Sequence, residues 1–214
     1  MIDKRILLDH ARLYCVLDAG VVAYDQLFDI LDRSAEEGVD IFQIRDKNGS
    51  NEDIEKFARK AMQRLNGRCL FIVNDRVEVA LAVGADGVHV GQDDDRVETV
   101  RSRVGNQFII GTSCQTLAQA QEAQACGADY IGFGSVFKTQ TKPDRNPMDL
   151  RVLRDVLQKI AIPVFPIGGI TLENCDQIKQ VGARRLAVTR EICLAGDVEH
   201  VTQALRKKLI SIER

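Results

Sequence analysis

Gln43, Arg45 and Lys47 alternate along one short stretch, so in an extended chain their side chains project the same way. Arginine pairs bidentately with phosphate oxygens and lysine meets them as a point charge. Other polar groups stand in comparable settings: Asn74-Asp75-Arg76, Gly91-Gln92-Asp93-Asp94-Asp95, Thr112-Ser113, Lys138-Thr139-Gln140-Thr141-Lys142-Pro143, Gly168-Gly169 and Thr189-Arg190. Asp75 and Asp94 are suited to sharing a hard divalent cation, because Mg²⁺ takes one or two protein carboxylates and completes its shell with water and substrate phosphates. Cations combined with such a metal imply a diphosphate or several phosphoryl groups. The Thr139 and Thr141 hydroxyls join Arg45, Lys47 and Lys142 as groups suited to phosphate oxygens, and Gly168-Gly169 lets backbone N–H groups approach a further anion closely. Two separated anion subsites are therefore expected.

Each of these groups follows an apolar, β-rich run. The runs are Leu13–Asp18, Ile41–Arg45, Cys69–Asn74, Gly87–Gly91, Phe108–Ser113, Tyr130–Val136, Val164–Ile167 and Leu186–Thr189. Helix-period segments separate them: Tyr24–Glu37, Asn51–Asn66, Val77–Val83, Arg96–Arg103, Leu117–Ala125, Leu150–Lys159, Glu173–Val181 and Val198–Leu209. Ser50, Thr116 and Thr171 stand at N-cap positions. Near-continuous apolar strands such as FIIG require burial on both faces, as in a parallel sheet. Eight strand–helix units in 214 residues give an α/β fold, a (β/α)8 TIM barrel of parallel strands, with residues 1–214 as a single domain. An open doubly wound sheet is the rival architecture. Against it, no GxGxxG follows the first strand, and a Gly-Ala turn recurs at GADGVHVG (84–91), GADYIGFG (127–134) and GARRLAVT (182–189). Barrels gather their chemistry at the C-terminal ends of the strands, which is where the polar groups fall.

Composition narrows the classes of function. A formal net charge of −2 gives no pull toward nucleic acid or an anionic membrane, and the absence of Trp argues against base-stacking platforms. No apolar run approaches the roughly 20 residues of a membrane span, and the charged N-terminus lacks a signal-peptide core, so a cytoplasmic protein is expected. Cys15, Cys69, Cys114, Cys126, Cys175 and Cys193 are scattered, with no CxxC or Cys/His cluster, and read as reduced, mostly buried thiols. His89, inside an apolar strand, reads as a core histidine. Taken alone, the run Asp93–Asp95 also reads as a solvated helix N-terminus, and Arg76 as a surface partner of Asp75.

The segments QIRDK (43–47), VNDRVEVALAVGADGVHVGQDD (73–94), GTSCQT (111–116), GADYIGFGSVFKTQTKPD (127–144) and IPVFPIGGIT (162–171) together resemble the thiamine-phosphate synthase family, in order over residues 13–193. The resemblance implies condensation of 4-amino-2-methyl-5-hydroxymethylpyrimidine diphosphate with a thiazole phosphate, giving thiamine phosphate and pyrophosphate. It implies a dissociative, Mg²⁺-assisted course in which diphosphate departs before the thiazole nitrogen attacks. Carried over, Gln43, Arg45, Lys47 and Asn74 hold the pyrimidine diphosphate and Asp75 and Asp94 hold Mg²⁺. Ser113 contacts the pyrimidine side, Lys142 the diphosphate, Thr139 and Thr141 the thiazole phosphate, and Gly169 gives a backbone contact. Lys142, Ser113 and Arg45 are the expected catalytic residues. The implied partners are these small molecules, with no nucleic acid and no membrane; a homo-oligomer is left open. An ionising C–O bond needs stabilisation of departing charge rather than a nucleophile, which accounts for the lack of any triad.

Two positions depart from the family pattern. Val188-Thr189-Arg190 stands where a small residue, often Ser, is usual, which puts a cation beside the expected phosphate pocket unless Arg190 points outward. Lys138 stands where Pro is usual. The alternatives are a thiazole tautomerase-like or a non-catalytic regulatory homologue, and, more remotely, a phosphate-handling barrel enzyme using a carboxylate or Cys base without metal.

Overall fold

The eight apolar runs form eight parallel strands: β1 (Leu13–Asp18), β2 (Ile41–Arg45), β3 (Leu70–Asn74), β4 (Gly87–Val90), β5 (Ile109–Cys114), β6 (Tyr130–Phe133), β7 (Val164–Pro166) and β8 (Leu186–Val188). They lie in the order β7-β6-β5-β4-β3-β2-β1-β8, and a parallel bridge between Ile167 and Ala187 joins the two edges into a ring. The protein is seen here in a computed structural model that describes residues 3–141 and 146–210. The closed (β/α)8 barrel is thus observed, not the open sheet.

Helices α2 (Tyr24–Glu36), α3 (Asn51–Leu65), α4 (Val77–Val83), α5 (Val97–Val104), α6 (Leu117–Ala125), α7 (Leu150–Lys159), α8 (Cys175–Gln180) and α10 (Val198–Ile210) alternate with the strands. Two further helices, α1 (Lys4–His10) and α9 (Arg190–Cys193), were not expected. The Ser50 side chain accepts from Asp53 N at 3.1 Å, and Thr116 forms a capping box with Gln119. Thr171 does not cap a helix. A turn intervenes, the helix begins only at Cys175, and Thr171 N instead donates to Asn174 Oδ1 at 2.8 Å.

The Gly-Ala repeat performs the turn expected of it. Gly84, Gly127 and Gly182 have φ of 69°, 86° and 102°. The following Ala85, Ala128 and Ala183 donate back to Ala80, Ala123 and Ile178 carbonyls at 3.0–3.1 Å, the six-to-one bond of a Schellman ending. The next residue in two of the repeats is Asp, and it caps a neighbouring strand: Asp86 accepts from Phe71 N and Asp129 from Ile110 N, both at 2.8 Å. Asp40 does the same for Leu13 N at 3.0 Å. Lys4 and Arg5 of α1 pair with Asp86 and Asp129, and Leu8 of α1 packs on the barrel interior. The helix α1 therefore stoppers the N-terminal end.

Two apolar layers result. One lies between sheet and helices; the other fills the barrel with Leu8, Val16, Ile41, Ile72, Ile109 and the rings of Tyr14, Tyr130 and Phe165. The three rings stand 5.5–5.9 Å apart, two of the pairs edge-to-face. They form a floor under the C-terminal end. Five cysteines are buried, Cys126 is half-buried, and none is bonded to another. Among the described residues no helix is long and apolar enough to cross a membrane.

Candidate active site

Above that aromatic floor opens a cavity of about 530 Å³, ringed by the strand ends. Every residue among the described ones that was expected to bind substrate or metal lines it: Gln43, Arg45 and Lys47 from β2 and its loop, Asn74 and Asp75 from β3, Asp94 after β4 and Ser113 of β5. Thr139 and Thr141 after β6, Gly169 after β7, and Thr189 and Arg190 after β8 complete the circuit. Lys142 lies outside the described residues. Arg190 faces the cavity, and so does Lys138.

The β2–β4 side carries opposed charges at close quarters. Lys47 Nζ pairs with Asp75 Oδ2, and Asn74 Nδ2 donates to Asp75 Oδ1 at 2.6 Å and to the His89 carbonyl at 3.0 Å. Asp75 adopts φ of 60°, a left-handed conformation that Asp tolerates better than most residues, while its N–H donates to His89 O at 2.8 Å. That kink turns the carboxylate toward Asp94. The Asp75 pKa is held above the ordinary aspartate value: burial is the largest cause, the Lys47 ammonium opposes it, and the Asp94 carboxylate adds to the rise. Asp94 Oδ2 accepts from Gly91 N at 2.8 Å, so the loop after β4 curls back over its own strand. Of its neighbours, Asp95 pairs outward with Arg103, and the following helix starts only at Val97. The acidic run is therefore a loop that lines the cavity with Asp93 and Asp94, not a solvated helix start. Arg76 is not a surface partner of Asp75; it donates to Asn51 Oδ1, Asp46 O and Gly49 O at 2.7–3.3 Å, bracing the loop that presents Lys47.

The β6–β8 side is built from backbone and hydroxyls. Gly168 and Gly169 have φ of 104° and 65°. A Cβ on Gly168 would stand 2.7 Å from Ser135 Cα, and one on Gly169 would collide with the Lys138 carbonyl. Only glycine lets the loops after β6 and β7 meet here. Thr141 N donates to Thr139 Oγ1 at 3.2 Å, and Asn174 Nδ2 holds the Gly169 carbonyl at 2.8 Å. Glu191 accepts from Leu172 N at 2.8 Å, so its carboxylate fixes the β7 loop.

Sequence reasoning missed several members of this site. Asp18, 2% exposed, accepts from Arg45 Nη1 at 2.5 Å and from Gly20 N at 2.9 Å. It ends the first strand, so the strand-end rule that found the others could have found it. Tyr14, Tyr130 and His89 lie inside strands and carried no such signal. His89 is buried in the barrel, as read from its apolar strand, but it also lines the cavity and bonds to Tyr130 Oη and Ser113 Oγ. Gln92 Nε2 donates to the Ser113 carbonyl at 2.6 Å. No group of three or more His, Cys, Asp or Glu among the described residues forms a protein-only metal cage, so Asp75 and Asp94 stand as a pair.

Comparison with known proteins places the chain. A family model described as thiamine monophosphate synthase matches residues 13–192. A thiamine-phosphate synthase of Methanosarcina barkeri is 40% identical over 92% of this chain and 89% of its own. One from Clostridioides difficile is 38% identical over 92% and 95%. The solved structure of a thiamine phosphate pyrophosphorylase from Pyrococcus furiosus superposes with a TM-score of 0.85 at 34% identity, over 96% of this chain and 97% of that one. A 3-hexulose-6-phosphate synthase superposes at 0.73 with 17% identity, a likeness of fold alone. On this evidence the chain is a member of the thiamine monophosphate synthase family.

Proposed function

We propose that this protein is a thiamine-phosphate synthase, a transferase that joins 4-amino-2-methyl-5-hydroxymethylpyrimidine diphosphate to a thiazole phosphate and releases pyrophosphate. The observation that carries the reading is the division of one cavity into an acid–base-charged half and a glycine–hydroxyl half. Each half is suited to a different anion.

On the first half, Arg45 and Lys47 neutralise the diphosphate, and Asn74 and Gln43 orient the pyrimidine it leaves; the family resemblance adds Lys142 as a further cation for the diphosphate. Asp75 and Asp94 would hold a divalent ion: burial and the Asp94 carboxylate disfavour a bare Asp75 anion here, and a 2+ charge held by the pair would relieve both. Mg²⁺ at this pair would stabilise negative charge on the departing diphosphate oxygens. Lys47, which pairs with Asp75 in this structure, is placed to pair with a phosphate oxygen instead if Asp75 holds the ion.

The reaction breaks the C–O bond to the diphosphate and leaves a pyrimidinylmethyl cation. The aromatic floor excludes water that would quench it, and Ser113 and Gln43 hold its ring. On the second half, Thr139, Thr141, the Gly169 backbone, Thr189 and Arg190 grip the thiazole phosphate and aim the ring nitrogen at the carbon. No side chain acts as nucleophile.

Purified protein given both substrates and Mg²⁺ is expected to release one pyrophosphate per thiamine phosphate formed, and to release none when either substrate is omitted. Absence of turnover with all components present would reject the synthase reading in favour of the tautomerase-like or regulatory one.

A further inference from the structure

A chain of hydrogen bonds crosses the barrel beneath the cavity. Gln43 Nε2 donates to Tyr14 Oη at 2.5 Å; Tyr14 Oη meets Tyr130 Oη at 2.9 Å; Tyr130 Oη meets His89 Nδ1 at 3.1 Å; and His89 Nε2 meets Ser113 Oγ at 3.0 Å. The five residues come from β2, β1, β6, β4 and β5. Gln43, Tyr14, Tyr130 and His89 are all at least nine-tenths buried, at 4%, 2%, 0% and 8% exposure. Desolvation pushes both phenol pKa values up, so each Tyr keeps its single proton.

With the Gln43 Nε2 turned to Tyr14, donor counting sets the direction of every other bond. Tyr14 accepts from the Gln43 amide, so its one O–H points to Tyr130. Tyr130 in turn gives its O–H to His89 Nδ1. A neutral imidazole that accepts at Nδ1 carries its proton on Nε2, and that proton goes to Ser113 Oγ. The Ser113 O–H is thereby free to donate into the cavity. At the other end, Gln43 is left with Oε1 and one N–H. The mirror arrangement reverses every link: Gln43 would turn its Oε1 to Tyr14, His89 would carry its proton on Nδ1, and Ser113 would donate inward.

We infer that Tyr14, Tyr130 and His89 are positioning residues whose one-way hydrogen-bond relay locks the Gln43 amide and the Ser113 hydroxyl together. In that lock the pair selects a 4-aminopyrimidine over its 4-oxo counterpart. This rests on the synthase reading for the identity of the ligand. The chemistry is complementary: the exocyclic amine donates to Oε1, and the adjacent ring nitrogen accepts from the amide N–H. A 4-oxo ring presents an acceptor and an N–H at the same two places, and would need the amide reversed. A site of fixed buried polar groups rejects such a mismatch strongly, because it leaves those groups unpaired.

Two measurements test this. In ¹⁵N-histidine spectra, which need no turnover, wild-type His89 should be a neutral Nε2–H tautomer. Tyr130→Phe should disturb that signal while leaving His10 and His200 unmoved. A Nδ1–H tautomer in the wild type would overturn the relay even if the enzyme is an active synthase. In turnover, Tyr14→Phe and Tyr130→Phe keep the packed rings, and their melting temperatures report any loss of fold. Each should lower kcat/KM for the aminopyrimidine diphosphate by about ten- to a hundredfold. The KM for thiazole phosphate should hold, and the preference over the oxo analogue should shrink. His89→Gln, which retains a donor toward Ser113, should recover activity that His89→Leu loses. The decisive arm is the cycle of Tyr14→Phe with Ser113→Ala. A coupled relay makes the double variant less impaired than the product of the single losses. Multiplying losses, or unchanged amino-over-oxo preference in Tyr14→Phe, would refute the proposal.

Discussion

Asp18 and Arg45 are register partners at the C-terminal ends of β1 and β2, and their side chains close into an ion pair of 2.5 Å at the rim of the cavity. Asp18 is 2% exposed and the Arg45 side chain 20%. A buried carboxylate beside a partly exposed guanidinium aims that guanidinium rather than merely neutralising it, because Asp18 is itself fixed by Gly20 N–H. Asp18→Ala leaves Arg45 without its anchor. Removing one member of a largely buried pair costs about 3 kcal/mol of stability. In the synthase assay the KM for the pyrimidine diphosphate should rise more in Asp18→Ala than in Asp18→Asn. Equal effects in the two variants would show that charge alone matters.

The carboxylate pair proposed to hold Mg²⁺ makes a second prediction. Asp75→Asn and Asp94→Asn should each cost more than the ~10–100-fold typical of changes in residues that only support metal ligands. Excess Mg²⁺ should restore part of the activity. The Asp75 pKa lies above that of an ordinary aspartate. Protons therefore compete with the ion from a higher pH than usual, and Mg²⁺ affinity should fall on acidification before ordinary carboxylates titrate. Titration of Mg²⁺ dependence against pH checks the sign. Full activity of either variant in a chelator would remove the metal from the account.

Much of this architecture was legible in the sequence, for identifiable reasons. The strands carry apolar runs that hardly vary from face to face, and the Gly-Ala turns repeat one helix ending. The strand-end rule then found Gln43, Arg45, Lys47, Asn74, Asp75, Asp94 and Ser113, because each follows an apolar run in the chain. Tyr14, Tyr130 and His89 were illegible as site residues for the opposite reason. They sit within apolar runs, and only the closed ring turns them inward to face one another. The helix α1 went unread because its stability comes from tertiary pairs, Lys4–Asp86 and Arg5–Asp129, that no local window contains. Thr171 looked like a cap by type, but Asn174 takes that turn.

The glycine half can be tested by adding one carbon. Gly169→Ala forces a side chain into a left-handed conformation and into the Lys138 carbonyl. About 1–3 kcal/mol of destabilisation is expected from the strain. The KM for thiazole phosphate should rise while that for the pyrimidine diphosphate changes little. Equal rises in both would mean that the halves are not separate.

The stopper helix should matter for stability and not for chemistry. Leu8 is 2% exposed against the barrel interior, so Leu8→Ala is expected to cost about 2–5 kcal/mol. Below its melting temperature the variant should keep the wild-type KM for both substrates.

The buried thiols set an alkaline limit. Burial pushes Cys69 up to about 11 and Cys114 up to about 12. Their unfolded pKa is about 8.5, so these raised values contribute stability in full below that pH and lose it as pH rises toward the folded values. Urea midpoints of wild type and Cys114→Ala should therefore converge between about pH 8.5 and 12. Native protein should resist alkylation at these two thiols until it unfolds.

The central claim is that one ring of strand ends holds two anions in separate halves. A crystal soaked with Mg²⁺, pyrophosphate and thiazole phosphate tests it directly. The account requires one anion with a metal ion beside Asp75 and Asp94, and a second anion at Thr139, Thr141 and the Gly168–Gly169 backbone. A single shared anion site, or pyrophosphate bound without metal away from Asp75 and Asp94, would contradict it.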